Sequence, residues 1–246
     1  MEYTAKTVLI TGAARGIGRA CAIRFAQAGF RLLLNTRTST EELEHLRTEL
    51  TSRFHAVCRT SIGDVGDESY VKDLFLELHN LGGRLDVLVN NAGISIVGLF
   101  QDMTLEEWNR IISSNLTSAF LCSRSAIPLF LSQGHGSIVN VSSVWGNAGA
   151  SCEAAYSATK GGINSLTKAL ARELAPSHIR VNAAAFGAID TEMNHHLTAE
   201  ERQALEEEIP VGRYGTPSEA AELIYDLAVN HPYLTGQIVT MDGAWT

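Results

Sequence analysis

Short apolar runs recur along the chain, and stretches with a helical spacing of apolar residues separate them. Such runs, bounded by turn residues, are typical of buried strands. They predict strands at residues 7–11, 31–35, 54–59, 85–90, 137–141, 180–184 and 237–241, with long helices at 106–131 and 154–175. This alternation predicts an α/β protein with a Rossmann-type doubly wound, predominantly seven-stranded parallel sheet and helices on both faces.

A glycine-rich turn follows the first predicted strand. Gly12, Gly16 and Gly18 separate the run 8–11 from a helical stretch that begins near Cys21. A strand, a glycine turn and a helix in this order are what a dinucleotide-phosphate site requires, because the pyrophosphate binds at the helix N-terminus. The spacing differs from Gly-x-Gly-x-x-Gly, so the order of elements carries this prediction.

Tyr156 and Lys160 stand four residues apart in the second long helix. This spacing places both side chains on one face, so the ammonium can lie near the phenol. A nearby cation lowers the pKa of a phenol toward the pH at which acid–base catalysis is most effective. Ser143 follows the run 138–142, and its hydroxyl would face a crevice at the carboxyl end of that strand. Taken alone, a tyrosine on an amphipathic helix is more often a core residue.

The second predicted strand bears on the choice of cofactor. An NAD site usually presents an acidic residue to the ribose about twenty residues beyond the glycines. The strand here ends in Leu34-Asn-Thr-Arg37 and has no acid. Arg37 and Arg15 could instead bind a 2′-phosphate through charge-assisted hydrogen bonds, which favours NADPH/NADP+ over NADH. The alternative is that both arginines are solvated surface charges.

Together the motifs resemble those of the short-chain dehydrogenase/reductase family, in order and spacing, over essentially the whole chain. The motifs are Thr11-Gly-x-x-x-Gly-x-Gly, Asn90-Asn-Ala-Gly93, Asn115, Ser143 and Tyr156-x-x-x-Lys160. The resemblance implies that Ser143 and Tyr156 bind a carbonyl oxygen and that Tyr156 donates the proton. It also implies that Lys160 lowers the pKa of Tyr156 and holds the nicotinamide ribose. Asn115 would anchor a water that links Lys160 to solvent.

The resemblance also implies a set of cofactor contacts, spread over the carboxyl ends of the strands. They are Gly12, Arg15, Gly16, Ile17, Gly18, Arg37, Asp64, Val65, Asn91, Ala92, Gly93, Tyr156, Lys160, Gly187, Ile189 and Thr191. Within this set, Asp64 and Val65 would contact the adenine, although they could also belong to a helix N-cap region. Residues 187–212, which include an acidic helical stretch, are a candidate lid over nicotinamide and substrate.

Composition narrows the classes of function. The chain has 246 residues, 45% of them hydrophobic, which suits one large domain over residues 1–246. A formal charge of −8 and the lack of a basic cluster argue against nucleic-acid binding. There is no run of eighteen apolar residues and no leader-like amino terminus, so we expect no membrane segment and a cytoplasmic protein.

Cysteine and histidine usage does not indicate a metal site. Cys21, Cys58, Cys122 and Cys152 show no Cys-x-x-Cys spacing, so we expect free thiols and no metal. The pair His195-His196 could be read as metal ligands. Adjacent histidines point in different directions on a helix, however, and a polar loop is the preferred interpretation.

Two subgroups of the family are candidates for the substrate. Residues 209–213 and 234–239 resemble 3-oxoacyl-acyl-carrier-protein reductases, which act on a ketone held by an acidic carrier. Residues 133–136 and 177–178 lack the cations such reductases commonly use for docking. Phe186 replaces the usual proline beside the nicotinamide, where it could contact substrate.

The segment 144–153 resembles reductases of a 5-aminopentanone group on elongation factor P. In that interpretation Glu153 pairs with the substrate ammonium and Trp145 lines the pocket, with a possible cation–π contact. The alternative is that Trp145 packs at a subunit interface and Glu153 caps the catalytic helix.

Two further hypotheses concern activity and assembly. An enzyme is favoured over a catalytically silent NADP-binding regulatory module, because Asn115, Ser143, Tyr156 and Lys160 are all present. The two long helices carry apolar residues on more than one face, and the family resemblance implies a homotetramer. The residues in question are Ala119, Phe120, Ile127, Leu166, Leu170 and Leu174, which could also be core residues.

Overall fold

A computed structural model describes residues 5–194 and 197–246 of the chain. Its centre is a parallel sheet of seven strands in the order β3-β2-β1-β4-β5-β6-β7. The strands are β1 (Thr7–Ile10), β2 (Arg31–Thr36), β3 (Cys58–Ile62), β4 (Val87–Asn90), β5 (Gly136–Ser143), β6 (Ile179–Phe186) and β7 (Ile238–Met241). The strand order reverses between β1 and β4, which creates a crevice at their carboxyl ends. The predicted doubly wound seven-stranded sheet is confirmed.

Helices connect the strands and cover both faces of the sheet. They are α1 (Gly16–Gln27), α2 (Thr40–Phe54), α3 (Glu68–Leu76), α4 (Leu105–Ile112), α5 (Ser118–Gln133), α6 (Trp145–Ala148), α7 (Ala154–Leu174), α8 (Ala199–Glu208) and α9 (Pro217–Val229). A π-helical turn, Ser113–Thr117, joins α4 to α5, so residues 105–133 form one interrupted helical run. The two long helices predicted from periodicity are present.

Two hydrophobic clusters lie on opposite faces of the sheet, because successive strand side chains point in opposite directions. Along β1, Val8 and Ile10 belong to the cluster covered by α1, α2 and α9, whereas Leu9 belongs to the cluster covered by α3, α5 and α7. The largest fully buried side chains are Phe25 in the first cluster and Phe130 in the second. Burial of each stabilises the fold by roughly 2–3 kcal/mol.

The third strand differs from its predicted position. The sequence pattern predicts a strand at 54–59, but α2 continues to Phe54 and His55 ends it in the left-handed conformation. The strand then runs from Cys58 to Ile62. It lies at the edge of the sheet and pairs only with β2 among the described strands. An edge strand is partly solvated, so its polar residues conceal the hydrophobic signal that marks the inner strands.

No helix among the described residues is long and apolar enough to cross a membrane. Within the same residues, no group of three or more His, Cys, Asp or Glu side chains could hold a metal ion. His195 and His196 lie outside the described residues.

Candidate active site

The glycine turn between β1 and α1 is shaped by a close backbone approach. Gly12 and Gly16 have φ values of +64° and +52°, in the left-handed region that favours glycine. A Cβ atom on Gly18 would lie 2.2 Å from the carbonyl oxygen of Gly12, so no larger residue fits there. The first turn of α1 can therefore approach the loop closely and leave its N–H groups available to an anion.

Two side chains brace this turn from β1 and from the loop after β4. The Thr11 hydroxyl accepts hydrogen bonds from the backbone N–H groups of Asn91 and Ala92, each over 3.0 Å. The Asn91 amide donates to the carbonyl oxygens of Thr11 and Gly12, over 2.9 and 3.0 Å. Asn91 thus supports the glycine loop directly. The bracing hydroxyl of Thr11 was not among the predicted site residues, although its place at the end of β1 was a usable signal.

Ser143 and Tyr156 meet at the carboxyl end of β5. Ser143 is the last residue of β5, and Tyr156 lies in the first turn of α7. Their side chains are close enough for the Ser143 hydroxyl to lower the pKa of Tyr156. The Ser143 hydroxyl also accepts a hydrogen bond from the backbone N–H of Trp145, over 3.2 Å. The sequence-predicted pair is therefore brought together, with both hydroxyls at one place.

Lys160 lies one helical turn beyond Tyr156, on the same face of α7. Its ammonium donates a hydrogen bond to the carbonyl oxygen of Val141 over 2.8 Å, and it lies 5.4 Å from the centroid of the Tyr156 ring. A Cβ atom on Gly93 would lie 3.7 Å from the same ammonium nitrogen. Burial lowers the pKa of Lys160 to about 8.

The pKa of Tyr156 moves against the direction expected from the sequence. Its pKa is raised to about 12, mainly by burial; the interaction with the Ser143 hydroxyl lowers the pKa in part, and the negative charge of Glu153 adds a smaller raising effect. The sequence suggested that Lys160 would lower the pKa of Tyr156. In the protein alone it does not, because its ammonium group is directed at the Val141 carbonyl rather than at the phenol. At neutral pH the phenol is consequently protonated.

Asn115 occupies the π-helical turn between α4 and α5. Its side-chain oxygen accepts a hydrogen bond from the N–H of Ile94 over 2.8 Å, and its amide donates to the carbonyl of Ile94 and to the Thr159 hydroxyl. These bonds join the loop after β4 to α7, one residue from Lys160. A π turn inside a helix often marks a functional position. Periodicity could not reveal it, since the flanking helical pattern is almost unbroken.

The two arginines expected at the cofactor phosphate are both paired with acids. Arg15 contacts Glu192 over 2.7 Å, and Arg37 lies 3.7 Å from Asp64. All four side chains are substantially exposed, so these ion pairs are weak and can exchange for another anion. Strand β2 ends at Thr36, so the structure places no carboxylate from β2 beside Arg37.

The predicted adenine contacts lie just beyond β3. Asp64 accepts a hydrogen bond from the N–H of Gly66 over 2.8 Å, and Val65 is buried in the cluster under α3. The N-cap of α3 is Asp67, whose carboxylate accepts from the N–H of Ser69. Asp64 and Val65 thus lie just before the N-cap residue rather than at it, and their contact with the adenine stays a prediction.

Three predicted cofactor contacts follow β6. Gly187 packs on Asp242. A Cβ atom added to Gly187 would lie only 2.7 Å from the Cβ atom of Asp242. Ile189 is buried. The Thr191 side chain lies against the glycine turn, where a Cβ atom added to Gly16 would lie 3.2 Å from it. Residues after β6 thus reach back to the turn after β1.

Phe186, the last residue of β6, is a different case. Only 4% of it is exposed, and it belongs to the core cluster covered by α1, α2 and α9. This placement favours a packing role for Phe186 over contact with a substrate.

The candidate lid carries its own anchors. Arg202 of α8 forms an ion pair with Asp190 over 3.0 Å and lies over the Tyr214 ring, 4.4 Å from its centroid. Thr198 and Glu201 form a capping box at the start of α8. The acidic helix predicted within residues 187–212 is present. The ion pair between Arg202 and Asp190 holds it against the loop after β6.

Glu153 and Trp145 flank the Ser143 and Tyr156 pair. Glu153 is the N-cap residue of α7, yet its side chain makes no capping bond. Its carboxylate instead accepts a hydrogen bond from the Ser95 hydroxyl. Trp145 opens α6 and makes a T-shaped contact with Trp245, with ring centroids 4.9 Å apart. Glu153 therefore occupies the N-cap position that the alternative interpretation gave it, although its side chain contributes no capping hydrogen bond.

The residues fit a nicotinamide dinucleotide in two respects. The close approach of Gly18 to Gly12 leaves the space that a pyrophosphate needs at a helix N-terminus. The hydroxyls of Ser143 and Tyr156 and the ammonium of Lys160 supply donors at the carboxyl end of β5, the strand next to the switch point between β1 and β4. The first feature depends on the backbone of the glycine turn, and the second on side chains that are neutral or positively charged hydrogen-bond donors.

Comparison with known proteins identifies the family of the chain. A family model described as short chain dehydrogenase matches residues 6–202. The chain belongs to the short-chain dehydrogenase/reductase family. It is an oxidoreductase of that family, and the prediction of an enzyme is confirmed.

Relatives within the short-chain dehydrogenase/reductase family match over almost the whole chain. The 3-oxoacyl-acyl-carrier-protein reductase FabG of Aquifex aeolicus is 38% identical over 244 residues, which cover 99% of this chain and 98% of that protein. An uncharacterized oxidoreductase of Bacillus subtilis, YmfI, is 36% identical over 241 residues, 98% of each chain. A short-chain type dehydrogenase/reductase from Mycobacterium marinum has a solved structure with a TM-score of 0.93 and 34% identity, covering 99% of this chain and 96% of that one. The predicted likeness to 3-oxoacyl-carrier-protein reductases is confirmed.

Proposed function

We propose that this short-chain dehydrogenase/reductase is an NADPH-dependent ketone reductase acting on 3-oxoacyl thioesters. The observation that carries the proposal is the juxtaposition of Ser143 and Tyr156, with Lys160 beside them, at the carboxyl end of β5. The likeness to FabG of Aquifex aeolicus supports a thioester-linked ketone as the substrate.

The chain's own residues would act on the carbonyl oxygen. The hydroxyls of Ser143 and Tyr156 would both donate hydrogen bonds to it, and Tyr156 would transfer its proton as negative charge develops there. The reduced nicotinamide supplies the hydride when it is bound. Lys160 would place a positive charge near the phenolate that Tyr156 becomes, and Asn115 would hold α7 against the loop after β4.

Protonation states favour the reductive direction. A proton donor must be protonated before the reaction, and the raised pKa of Tyr156, about 12, keeps the phenol in that state. Oxidation of an alcohol would need the phenolate, which burial and the nearby Glu153 charge both disfavour. We therefore propose reduction as the working direction.

We propose NADPH rather than NADH because β2 itself carries no carboxylate and two arginines lie near its end. Arg15 and Arg37 are both exposed enough to release their acidic partners and bind a 2′-phosphate. Thr36 ends β2 where an NAD site would present a carboxylate. The cofactor-binding residues named from the sequence are retained in this proposal, with Asn91 acting through the glycine loop.

The direct test follows NADPH consumption by the purified protein with acetoacetyl-N-acetylcysteamine as the ketone. We expect turnover that Tyr156→Phe lowers by about 10²–10⁴-fold, the usual value of a general acid, with NADPH affinity retained. Tyr233→Phe is the matched control, because Tyr233 is fully exposed in a separate part of the chain. Equal activity of Tyr156→Phe and the unaltered protein would contradict the proposal.

A second substrate has one observation in its favour. Glu153 holds a partly buried carboxylate close enough to Tyr156 to influence its pKa, and among the described contacts its partner is the Ser95 hydroxyl rather than a cation. A carboxylate so placed suits a ketone that carries an ammonium group, such as the 5-aminopentanone group on elongation factor P. Trp145 would then line the same pocket.

The two substrates can be separated with Glu153→Gln. For a cationic aminoketone we expect kcat/KM to fall by about tenfold or more, because a charge-assisted hydrogen bond is lost. For the neutral acetoacetyl thioester the change should be much smaller. Glu173→Gln, at an exposed site on the same helix, is the matched control.

We also propose that the chain forms a homotetramer through the helices around residues 105–133. Four large apolar side chains are exposed on or beside these helices, namely Phe100, Leu105, Phe120 and Leu131, with 63%, 73%, 46% and 50% of their surface accessible. The sequence left open whether Ala119 and Leu174 lie at a subunit interface or in the core. Both are buried within the chain. The remaining candidates, Ile127, Leu166 and Leu170, are half-buried.

A further inference from the structure

An aromatic contact links the catalytic strand to the residues that follow β7. Trp145 lies two residues after Ser143, and its backbone N–H donates to the Ser143 hydroxyl over 3.2 Å. The Trp145 ring meets the Trp245 ring in a T-shaped arrangement, with centroids 4.9 Å apart and planes at 64°. Both indoles are half-buried, so the pair retains accessible apolar surface.

Residues 242–246 are folded back by their own hydrogen bonds. The Asp242 carboxylate accepts from the backbone N–H groups of Ala244 and Thr246, each over 2.9 Å, and from the Thr246 hydroxyl over 3.0 Å. Ala244 has a φ of +66°, a conformation that non-glycine residues rarely adopt. The surrounding bonds maintain this turn, and it brings Trp245 onto Trp145.

The same segment contacts both parts of the chain that approach the cofactor and substrate. The N–H of Gly187 donates to the carbonyl of Met241, and Gly187 packs on Asp242. On the lid side, the N–H of Val211 donates to the carbonyl of Gly243 over 3.3 Å. Since β7 is parallel to β5 and β6, its carboxyl end lies at the same edge of the sheet as Ser143.

We infer that Trp245 is a specificity-determining residue, which together with Trp145 forms an apolar wall beside the Ser143 hydroxyl. This inference rests on the proposed ketone reductase function. A carbonyl bound to Ser143 places one of its two substituents next to Trp145, and Trp245 keeps the Trp145 ring from turning away. The wall limits the width of that substituent, so narrow unbranched ketones fit and wide ones do not.

The test compares two 3-oxo thioesters that differ only in the group on the ketone carbon. Acetoacetyl-N-acetylcysteamine carries a methyl group, and benzoylacetyl-N-acetylcysteamine carries a phenyl ring. With Trp245→Ala we expect the kcat/KM ratio, phenyl over methyl, to rise about tenfold or more, since a change of pocket size commonly discriminates by that factor. Trp245→Phe should give an intermediate ratio, and Tyr233→Ala, at a fully exposed aromatic residue, should leave the ratio unchanged.

Two results would overturn the inference. One is a ratio in Trp245→Ala within about twofold of the unaltered protein, with the melting temperature preserved. The other is an equal loss of activity on both thioesters together with a lower melting temperature, which would show that Trp245 only stabilises the chain. A selective gain for the phenyl ketone supports the wall.

Failure of the proposed function would be visible separately, as absence of NADPH consumption by the unaltered protein with either thioester. In that case the wall is still tested by fluorescence. The chain has three tryptophans, so Trp108→Phe leaves the Trp145 and Trp245 pair as the emitting indoles. We expect the acetoacetyl thioester, which carries the narrow methyl group, to change this emission in the presence of NADP+. No change at saturating thioester would overturn the wall.

Discussion

Lys160 donates a hydrogen bond from its ammonium group to the carbonyl oxygen of Val141, with 2.8 Å between nitrogen and oxygen. Val141 lies on β5, two residues before Ser143, so this bond ties α7 to the strand that carries the serine. The cation is thereby held in a buried position, where its pKa falls to about 8. A functional charge in such a place costs stability, which makes its contribution measurable.

Replacement of Lys160 by methionine should stabilise the fold while it removes activity. The pKa of Lys160 falls from the ordinary 10.5 to about 8, which corresponds to a burial penalty of roughly 3 kcal/mol. Replacement of the ammonium by a methionine side chain removes this penalty and so stabilises the fold. Loss of the hydrogen bond to Val141 cancels about 1–2 kcal/mol of that stabilisation. We expect Lys160→Met to raise the free energy of unfolding by about 1 kcal/mol near neutral pH, as measured by urea denaturation.

The pH dependence of that gain has a definite sign. With the lower pKa, folded Lys160 binds fewer protons than the unfolded chain between about pH 8 and 10.5, so the penalty is complete below pH 8 and fades as pH rises. The advantage of Lys160→Met should therefore shrink above about pH 8. Lys168→Met, at an exposed position on the same helix, is the control and should show no such trend. A pH-independent difference would contradict the burial argument.

The rate of ketone reduction should fall as pH rises above about 8. Deprotonation of Lys160 removes the positive charge that would stabilise the Tyr156 phenolate, whereas Tyr156 itself stays protonated to about pH 12. We expect a single descending limb in the pH profile of kcat/KM for acetoacetyl-N-acetylcysteamine. An apparent pKa near 10 or higher for that limb would exclude Lys160 as the titrating group.

Discrimination between NADPH and NADH should respond to the acids that now pair with the two arginines. Removal of the Glu192 charge frees Arg15, so Glu192→Gln should tighten NADPH binding by a few-fold and leave NADH nearly unchanged. Arg15→Ala with Arg37→Ala should lower the NADPH preference by about tenfold or more. Fluorescence titration of both reduced cofactors measures the ratio. If the double variant kept the preference, the phosphate-binding assignment would be wrong.

A matched pair of glycine variants tests the dinucleotide turn. Gly18→Ala would place Cβ 2.2 Å from the carbonyl oxygen of Gly12, so the backbone must shift at a cost of roughly 1–3 kcal/mol. Gly161→Ala, inside α7, meets only the Gly146 oxygen at 3.5 Å and should stabilise by roughly 0.5–1 kcal/mol. Thermal unfolding and NADPH titration of both variants give the comparison. Tolerance of Gly18→Ala in both measurements would argue against a tight turn.

The mass of the protein in solution tests the proposed tetramer. We expect about four times the chain mass of 26.6 kDa by light scattering. Phe120→Glu places a charge on an exposed apolar position of α5 and should lower that mass. Val57→Glu is the control, because Val57 is similarly exposed but lies outside residues 105–133. A monomer in the unaltered protein would remove the proposal.

Much of the fold could be predicted because the inner strands are buried on both faces. Such strands are continuous apolar runs, as at residues 137–141, and the glycine turn and the Tyr156 and Lys160 spacing are local patterns of the same clarity. The sequence pattern misplaced the edge strand β3, because its partly solvated residues lack this signal. The family and its chemistry were thus determined by local sequence, where covalent spacing alone sets which groups share a turn or a helix face.

Only the tertiary structure decided how distant groups meet and what that does to their charges. The contact between Trp145 and Trp245 joins residues 100 positions apart, and no local pattern announces it. The same holds for the pKa of Tyr156, which the spacing to Lys160 suggested would fall and which burial raises. Helical spacing fixes distance along one element, whereas desolvation and hydrogen-bond partners depend on every element packed around it.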